Sequence, residues 1–179
     1  MSQIGSVYAQ ALYSLAEEES LGETILDELK TINEIVSREE DFLRLLSAST
    51  LSKEERCSLL DQAFRGKTHI YVLNFMKLLT EKGKIVHFPQ ACAAFREQYN
   101  TDHGILPVRA VSAVALTPAQ TKRLTEKLCA ITGKTVELTN RIDPACLGGI
   151  RLDYDGKRVD GTVKNRLDGM AATLKNTQL

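Results

Sequence analysis

The hydrophobic period of the chain changes at His103-Gly104, and this change limits what the chain can fold into. Before it, apolar residues recur every three or four positions. The run "QIGSVYAQALYSLAEEES" places Ile4, Tyr8, Leu12 and Leu15 at helical spacing, and Gly22 breaks it. "ETILDELKTINEIVSREE" carries Ile25, Leu29, Ile32 and Val36 on one face, and "EDFLRLLSAS" is a short third helix. Ser52 with Glu55 three residues on forms a capping box before "KEERCSLLDQAF", and Gly66 closes that helix. "THIYVLNFMKLLTEK" runs to Gly83. "IVHFPQACAAFREQYNTD" reads as one sixth helix, with Pro89 in its first turn, where a missing N–H costs little.

After Gly104 the period is two. "GILPVRAVSAVAL" and "KTVELTNRI" alternate as strands do. Between them, Thr117-Pro118 opens a helix that ends at Gly133, and a final helix carries Val163, Leu167, Met170 and Leu174 on one face. The expected order is β-α-β-β-β-α. The predicted fold is α+β: a six-helix bundle over residues 1–104, then a small α/β domain over 105–179 with a β-hairpin and two helices. The join near residues 101–106 is short and polar. Charge divides at the same place. Residues 1–104 hold 11 Lys/Arg and 16 Asp/Glu, a net of −5, and residues 105–179 hold 12 and 7, a net of +5. The split suits two different partners, although windows of this size often differ as much.

The first and fifth helices are apolar over too wide an arc. In the first, Val7, Tyr8, Ala9, Ala11, Leu12, Tyr13, Leu15 and Ala16 spread, with Ile4, over roughly 240° at about 100° per residue. In the fifth, only Asn74 and Lys77 interrupt Tyr71 to Leu79. A bundle helix needs a stripe little wider than about 100°. Either these are central helices, buried on two sides, or they border a groove for an amphipathic helix of a partner. Small Ala9, Ala11 and Ala16 suit the second reading; periodicity is compatible with both.

Several apparent chemical motifs fail on their surroundings. Gly66-Lys67-Thr68 and Gly133-Lys134-Thr135 imitate the end of a P-loop, but Asp61 and Leu128 stand where its first glycine belongs. Both triplets follow helices and read as C-caps. His69, His87 and His103 have no second ligand at i+3 or i+4, and Cys57, Cys92, Cys129 and Cys146 form no CxxC pair, so no metal site is expected. No nucleophile motif occurs, no cofactor is expected, and nothing marks the chain as a small enzyme working in an interdomain cleft. An RNA-binding α+β module needs stacking aromatics, and after residue 104 the chain has only Tyr154. No nucleic-acid partner is expected. The N-terminus lacks the pattern of a signal peptide, and no apolar run approaches the roughly 20 residues of a membrane span. The expectation is a soluble chain without direct membrane insertion.

"LGGIRLDYDGKRVDGTVKNRL" (147–167) is dense in glycine and aspartate. A calcium loop would need a later glycine and a closing glutamate. A phosphate loop would put Gly148 and Gly149 at a helix start, but a strand follows them. A hairpin turning at Asp155-Gly156 explains more. It opposes Leu152 with Val159, Asp153 with Arg158 and Arg151 with Asp160. One face is then apolar, and the other carries two opposite-charge pairs. Asp160-Gly161 turns the chain into the last helix, with Thr162 as its cap.

Four segments together resemble one family. They are "YAQALYSLA" (8–16), "LLTEKGKI" (78–85) with "FREQYN" after it, "VSAVAL" (111–116) and "IDPACLGGIRLDYDGKRVDGTVKNRL" (142–167). In this order, and over the whole chain, they resemble the delta subunit of F-type ATP synthases, the bacterial relative of the mitochondrial oligomycin-sensitivity-conferring protein. Two departures stand out. Ser6-Val7 replaces a basic residue common before the first tyrosine, and the hairpin turn is Asp-Gly where many relatives have Gly-Asp. The resemblance implies a non-catalytic connector of the peripheral stalk, the stator. It would sit peripherally on the cytoplasmic side of the bacterial cell membrane. Its helical domain would grip N-terminal helices of the alpha subunits in a groove between its first and fifth helices. Its second domain would bind the C-terminal end of the b-subunit stalk, so that the head resists rotor torque during proton-driven ATP synthesis. Carried onto this sequence, the groove residues are Tyr8, Ala11, Leu12, Leu15, Tyr71, Phe75, Leu78 and Leu79.

Overall fold

A computed structural model describes residues 3–47, 51–168 and 170. The chain is mixed α+β and divides into two compact units, Met1–Tyr99 and Asn100–Leu179.

The first unit is helical: α1 (Gln3–Glu18), α2 (Gly22–Arg38), α3 (Glu40–Ser47), α4 (Lys53–Phe64), α5 (Ile70–Glu81) and α6 (Phe88–Asp102), whose end passes into the second unit. Gly22 opens α2 rather than lying between helices. It is buried, and a Cβ there would press on the Tyr99 ring at 3.1 Å. Ser52 and Glu55 cap α4 reciprocally: Glu55 N–H donates to Ser52 Oγ at 3.2 Å, and Ser52 N–H to Glu55 Oε2 at 2.8 Å. The sixth helix is not continuous from Ile85. Ile85–His87 forms a 3-10 turn, and α6 begins only at Phe88. Ile85 and Phe88 are both fully buried, so the tighter turn sets two large side chains into one core.

That core takes Ile25, Leu29, Ile32 and Val36 from α2, which form its apolar stripe. Leu60 and Phe64 join from α4, and Phe88 and Phe95 from α6. Two aromatic contacts, one edge-on and one tilted, join α6 to its neighbours. Tyr13 of α1 meets Phe95 with ring centroids 5.4 Å apart, and Phe75 of α5 meets Phe88 at 6.2 Å. Lys77 Nζ and Asp61 Oδ1, 2.6 Å apart, tie α5 to α4.

The second unit holds a four-stranded sheet in the order β2-β1-β3-β4. β1 (Ile105–Ser112) pairs in parallel with β2 (Thr135–Ile142), and α7 (Pro118–Thr132) makes the crossover. β3 (Ile150–Tyr154) pairs antiparallel with β1 on its other side, so β4 (Lys157–Asp160) forms one edge and β2 the other. β1 is shorter than its alternation predicts. Ser112 Oγ donates to the Val114 carbonyl at 2.7 Å, which turns the chain and leaves Val114 exposed. Leu106, Val108, Leu128 and Val136 form the core between sheet and helix. Residues 163–168 and 170 are helical; Leu174 and the side chain of Ile4 lie outside the described residues.

Candidate functional site

The wide apolar arc of α1 divides into two faces. Ala9, Leu12, Tyr13 and Ala16 lie within ~100° of arc and are all buried in the core. The next ~80° carries Val7, Ala11 and Leu15, spaced i, i+4, i+8, and these face solvent. Val7 is 64% exposed and Leu15 37%. Tyr8 lies at the border, half-buried against the core.

α5 divides in the same way. Val72, Leu73, Phe75, Met76 and Leu79 point inward. Ile70, Asn74 and Leu78, again i, i+4, i+8, point outward, with Ile70 55% and Leu78 39% exposed. Tyr71 is half-buried beside this face. Its position is set locally. His69 Nδ1 accepts from the Tyr71 N–H at 3.3 Å, the two rings meet edge-on at 4.9 Å, and the His69 N–H donates to Glu28 Oε2 of α2 at 2.7 Å.

The structure therefore sorts the eight sequence-derived groove residues. Ala11, Leu15 and Leu78 are on the surface, and Tyr8 and Tyr71 are half-buried. Leu12, Phe75 and Leu79, at 6%, 5% and 0% exposure, are core residues and offer a partner no surface. All three belong to the helical core, where Phe75 meets Phe88 of α6. Val7 and Ile70, outside those eight, are exposed on the same two faces. Val7 stands four residues before Ala11 on α1.

The hairpin region is a framework. Asp155 (φ +47) and Gly156 (φ +69) make the two-residue turn, flanked by the pair Tyr154–Lys157. Leu152 lies opposite Val159, Asp153 opposite Arg158, and Arg151 opposite Asp160. Arg158 Nε donates to Asp153 Oδ1 at 2.7 Å, and this bond, with the charges of Arg158 and Arg151, holds the Asp153 carboxyl below the ordinary range. Asp160 Oδ1 accepts from the hydroxyl and the N–H of Thr162 at 2.7 and 2.9 Å, which lowers its carboxyl too. Thr162 Oγ1 in turn accepts from the Asn165 N–H at 3.2 Å, capping the final helix. The Gly161 N–H donates to the Ile150 carbonyl and the Val163 N–H to that of Gly148, both at 3.0 Å. Gly148, Gly149 and Gly161 thus let the helix start lie directly on β3. From this framework project Leu147, Val163, Leu167 and Met170, exposed at 67%, 43%, 52% and 65%.

Among the described residues no group of three or more His, Cys, Asp and Glu could hold a metal ion. Burial pushes the Cys92 thiol up to about 12, which removes it as a nucleophile near neutral pH. Gly66 and Gly133 both take positive φ just after α4 and α7, as helix ends. No helix among the described residues is long and apolar enough to cross a membrane.

Comparison with known proteins adds an independent finding. Residues 4–174 match the family model described as the ATP synthase delta (OSCP) subunit. A protein of Clostridioides difficile (strain 630) named ATP synthase subunit delta is 30% identical over 172 residues, 96% of this chain and 95% of that one. A protein of the same name from Chlorobium chlorochromatii (strain CaD3) is 28% identical, covering 93% of each. Among solved structures, a chain of the Toxoplasma gondii mitochondrial ATP synthase hexamer shares the fold with a TM-score of 0.75 at 18% identity, over 97% of this chain and 98% of that one.

Proposed function

The chain belongs to the ATP synthase delta (OSCP) subunit family, and on that premise we propose that it is a non-catalytic connector of the peripheral stalk. The observation that carries this reading is an unpaired apolar face on each of two separately cored units. In the helical unit, Val7, Ala11 and Leu15 of α1 and Ile70 and Leu78 of α5 are exposed on helices that both pack on α6. Such stripes suit an amphipathic helix with apolar anchors at i, i+3 and i+4. The proposed guest is an N-terminal helix of an alpha subunit. The small side chain of Ala11 lets its backbone approach.

In the second unit, Val163, Leu167 and Met170 repeat at i, i+4, i+7, with Leu147 also exposed and Lys164 and Arg166 on the same helix. This is the proposed contact for the C-terminal end of the b-subunit stalk. Two partners held by one chain resist torque without any chemical step, as a stator on the cytoplasmic side of the membrane would. A six-helix head-binding domain over residues 1–104 and a stalk-binding domain over 105–179 divide the work.

Native mass spectrometry tests the reading directly. The full chain, mixed with an alpha N-terminal peptide and a b C-terminal peptide, is expected to form a ternary complex. Failure to hold both at once would sink the connector. Ala11→Asp puts a charge into the proposed apolar contact. It should weaken alpha-peptide binding at least tenfold, or about 1.4 kcal/mol, with stalk binding and the circular dichroism spectrum unchanged, because Ala11 is exposed in the free chain.

A further inference from the structure

A second groove lies on the helical unit, and its lining includes none of the exposed stripe residues of α1 and α5. It has a volume of 930 Å³ and runs between α2, α3 and the end of α4. Its lining on α2 extends from Asp27 to Val36, ~14 Å at 1.5 Å per residue, and continues to Glu39 just past the helix end. Ile32, Val36 and the edge-on pair Phe42–Phe64, 6.0 Å between centroids, form the floor. Ile35 and Leu45 stand on the walls, 48% and 45% exposed. Ile35 and Leu45 thus leave apolar side-chain surface along the trough for a partner helix to cover.

The charges say what kind of partner. Acids occupy both ends, Asp27 and Glu28 at one and Glu39 and Asp41 at the other, against the single base Lys67 among the lining residues. Glu28 is engaged by the His69 N–H. Asp41 faces Arg44 at 3.4 Å in a pair whose side chains are 94% and 75% exposed, which holds weakly. Asp27 and Glu39 add to an acidic end-to-end pattern around an apolar middle. The length corresponds to about three turns of α-helix. We infer that this groove docks a partner's amphipathic helix of about three turns, apolar at its centre and carrying Lys or Arg at its ends. The site shares no residue with the proposed alpha-subunit contact, so either can fail without the other.

A fluorescein-labelled 14-residue amphipathic Leu/Lys peptide is the probe, titrated into the full chain and followed by anisotropy. Its twin has Glu for every Lys. Saturable binding of the Lys peptide is expected, with the twin at least tenfold weaker. Leu45→Glu, and separately Glu39→Lys with Asp41→Lys, should raise Kd at least tenfold, while Ala11→Asp leaves it unchanged. All four substituted positions are exposed, and circular dichroism checks that each variant is folded. Absence of saturable binding, equal binding of the twin, or an unchanged Kd in Leu45→Glu overturns the inference. Loss of binding in Ala11→Asp does so too, by moving the peptide to α1. A free chain that dimerises in sedimentation velocity, with dimerisation lost in Leu45→Glu, overturns it in favour of a second copy.

Discussion

Gly149 shows how a single missing side chain supports the second unit. Its φ is +78, and a Cβ there would overlap the Gly161 carbonyl oxygen and lie 3.0 Å from Thr162 Cα. The obstacle is backbone and cannot swing aside. Gly156 also has positive φ, +69, but nothing lies within 4 Å of its would-be Cβ. Gly149→Ala should therefore cost more than ~2 kcal/mol, and Gly156→Ala only the left-handed penalty of about 1–2 kcal/mol. Thermal melts of the two variants side by side measure the difference. Asp160 and Asp153 make a pH prediction. Both carboxyls are depressed in the fold, so their contribution is complete above the ordinary Asp value of about 3.9 and is lost as pH falls through the lower folded value. Asp160→Asn should flatten the acid limb of stability against pH. An acid limb identical to that of the parent would refute the role given to the Thr162 bonds. These glycines and aspartates were legible as turn residues because turn chemistry is local. The closeness of Gly149 to Gly161 was not, since it depends on where the final helix starts against β3.

Helix ends obey rules readable within four residues. Ser52 and Glu55, like Thr117 and Gln120, close reciprocal caps. α4 has little else to define its start, so Ser52→Ala should cost about 1 kcal/mol. Urea titration gives that value, and restoration by Ser52→Asp separates capping from packing. Helix faces are different. The single stripe of α2 leaves one possible inside, and the sequence pattern finds it. α1 is apolar over most of its circumference, and its inside is chosen by α6, through Phe95 and through Gly5, where an added Cβ would lie 3.4 Å from the Ala91 nitrogen. That neighbour comes some eighty residues later, so no local pattern could show that Leu12 is core while Ala11 is surface. The strand order has the same origin. Alternation identifies β1 and β2, but their parallel pairing, with β3 on the far side of β1, follows from how α7 crosses over.

The two units are unequally built. The helical core draws large side chains from all six helices, whereas the sheet core consists of Leu106, Val108, Leu128 and Val136 with partly buried neighbours. Local stability follows buried apolar contact. Hydrogen exchange should therefore be faster in β1–β4 than in α2 and α5, and binding of a stalk peptide should slow it in the second unit. Uniform protection across both units would contradict this. The units carry opposite net charge, −4 over residues 1–99 (11 Lys/Arg, 15 Asp/Glu) and +4 over 100–179 (12 and 8), so they should respond oppositely to a charged partner. β4 matters before any partner is met. The edge strand is four residues long, every one is exposed, and Lys157, Arg158 and Asp160 are charged. Such an edge gives another chain too short and too charged a template for adding a strand. At this side of the sheet, a newly made subunit resists pairing with its own copies, and the longer edge strand β2 is the side left to add a strand.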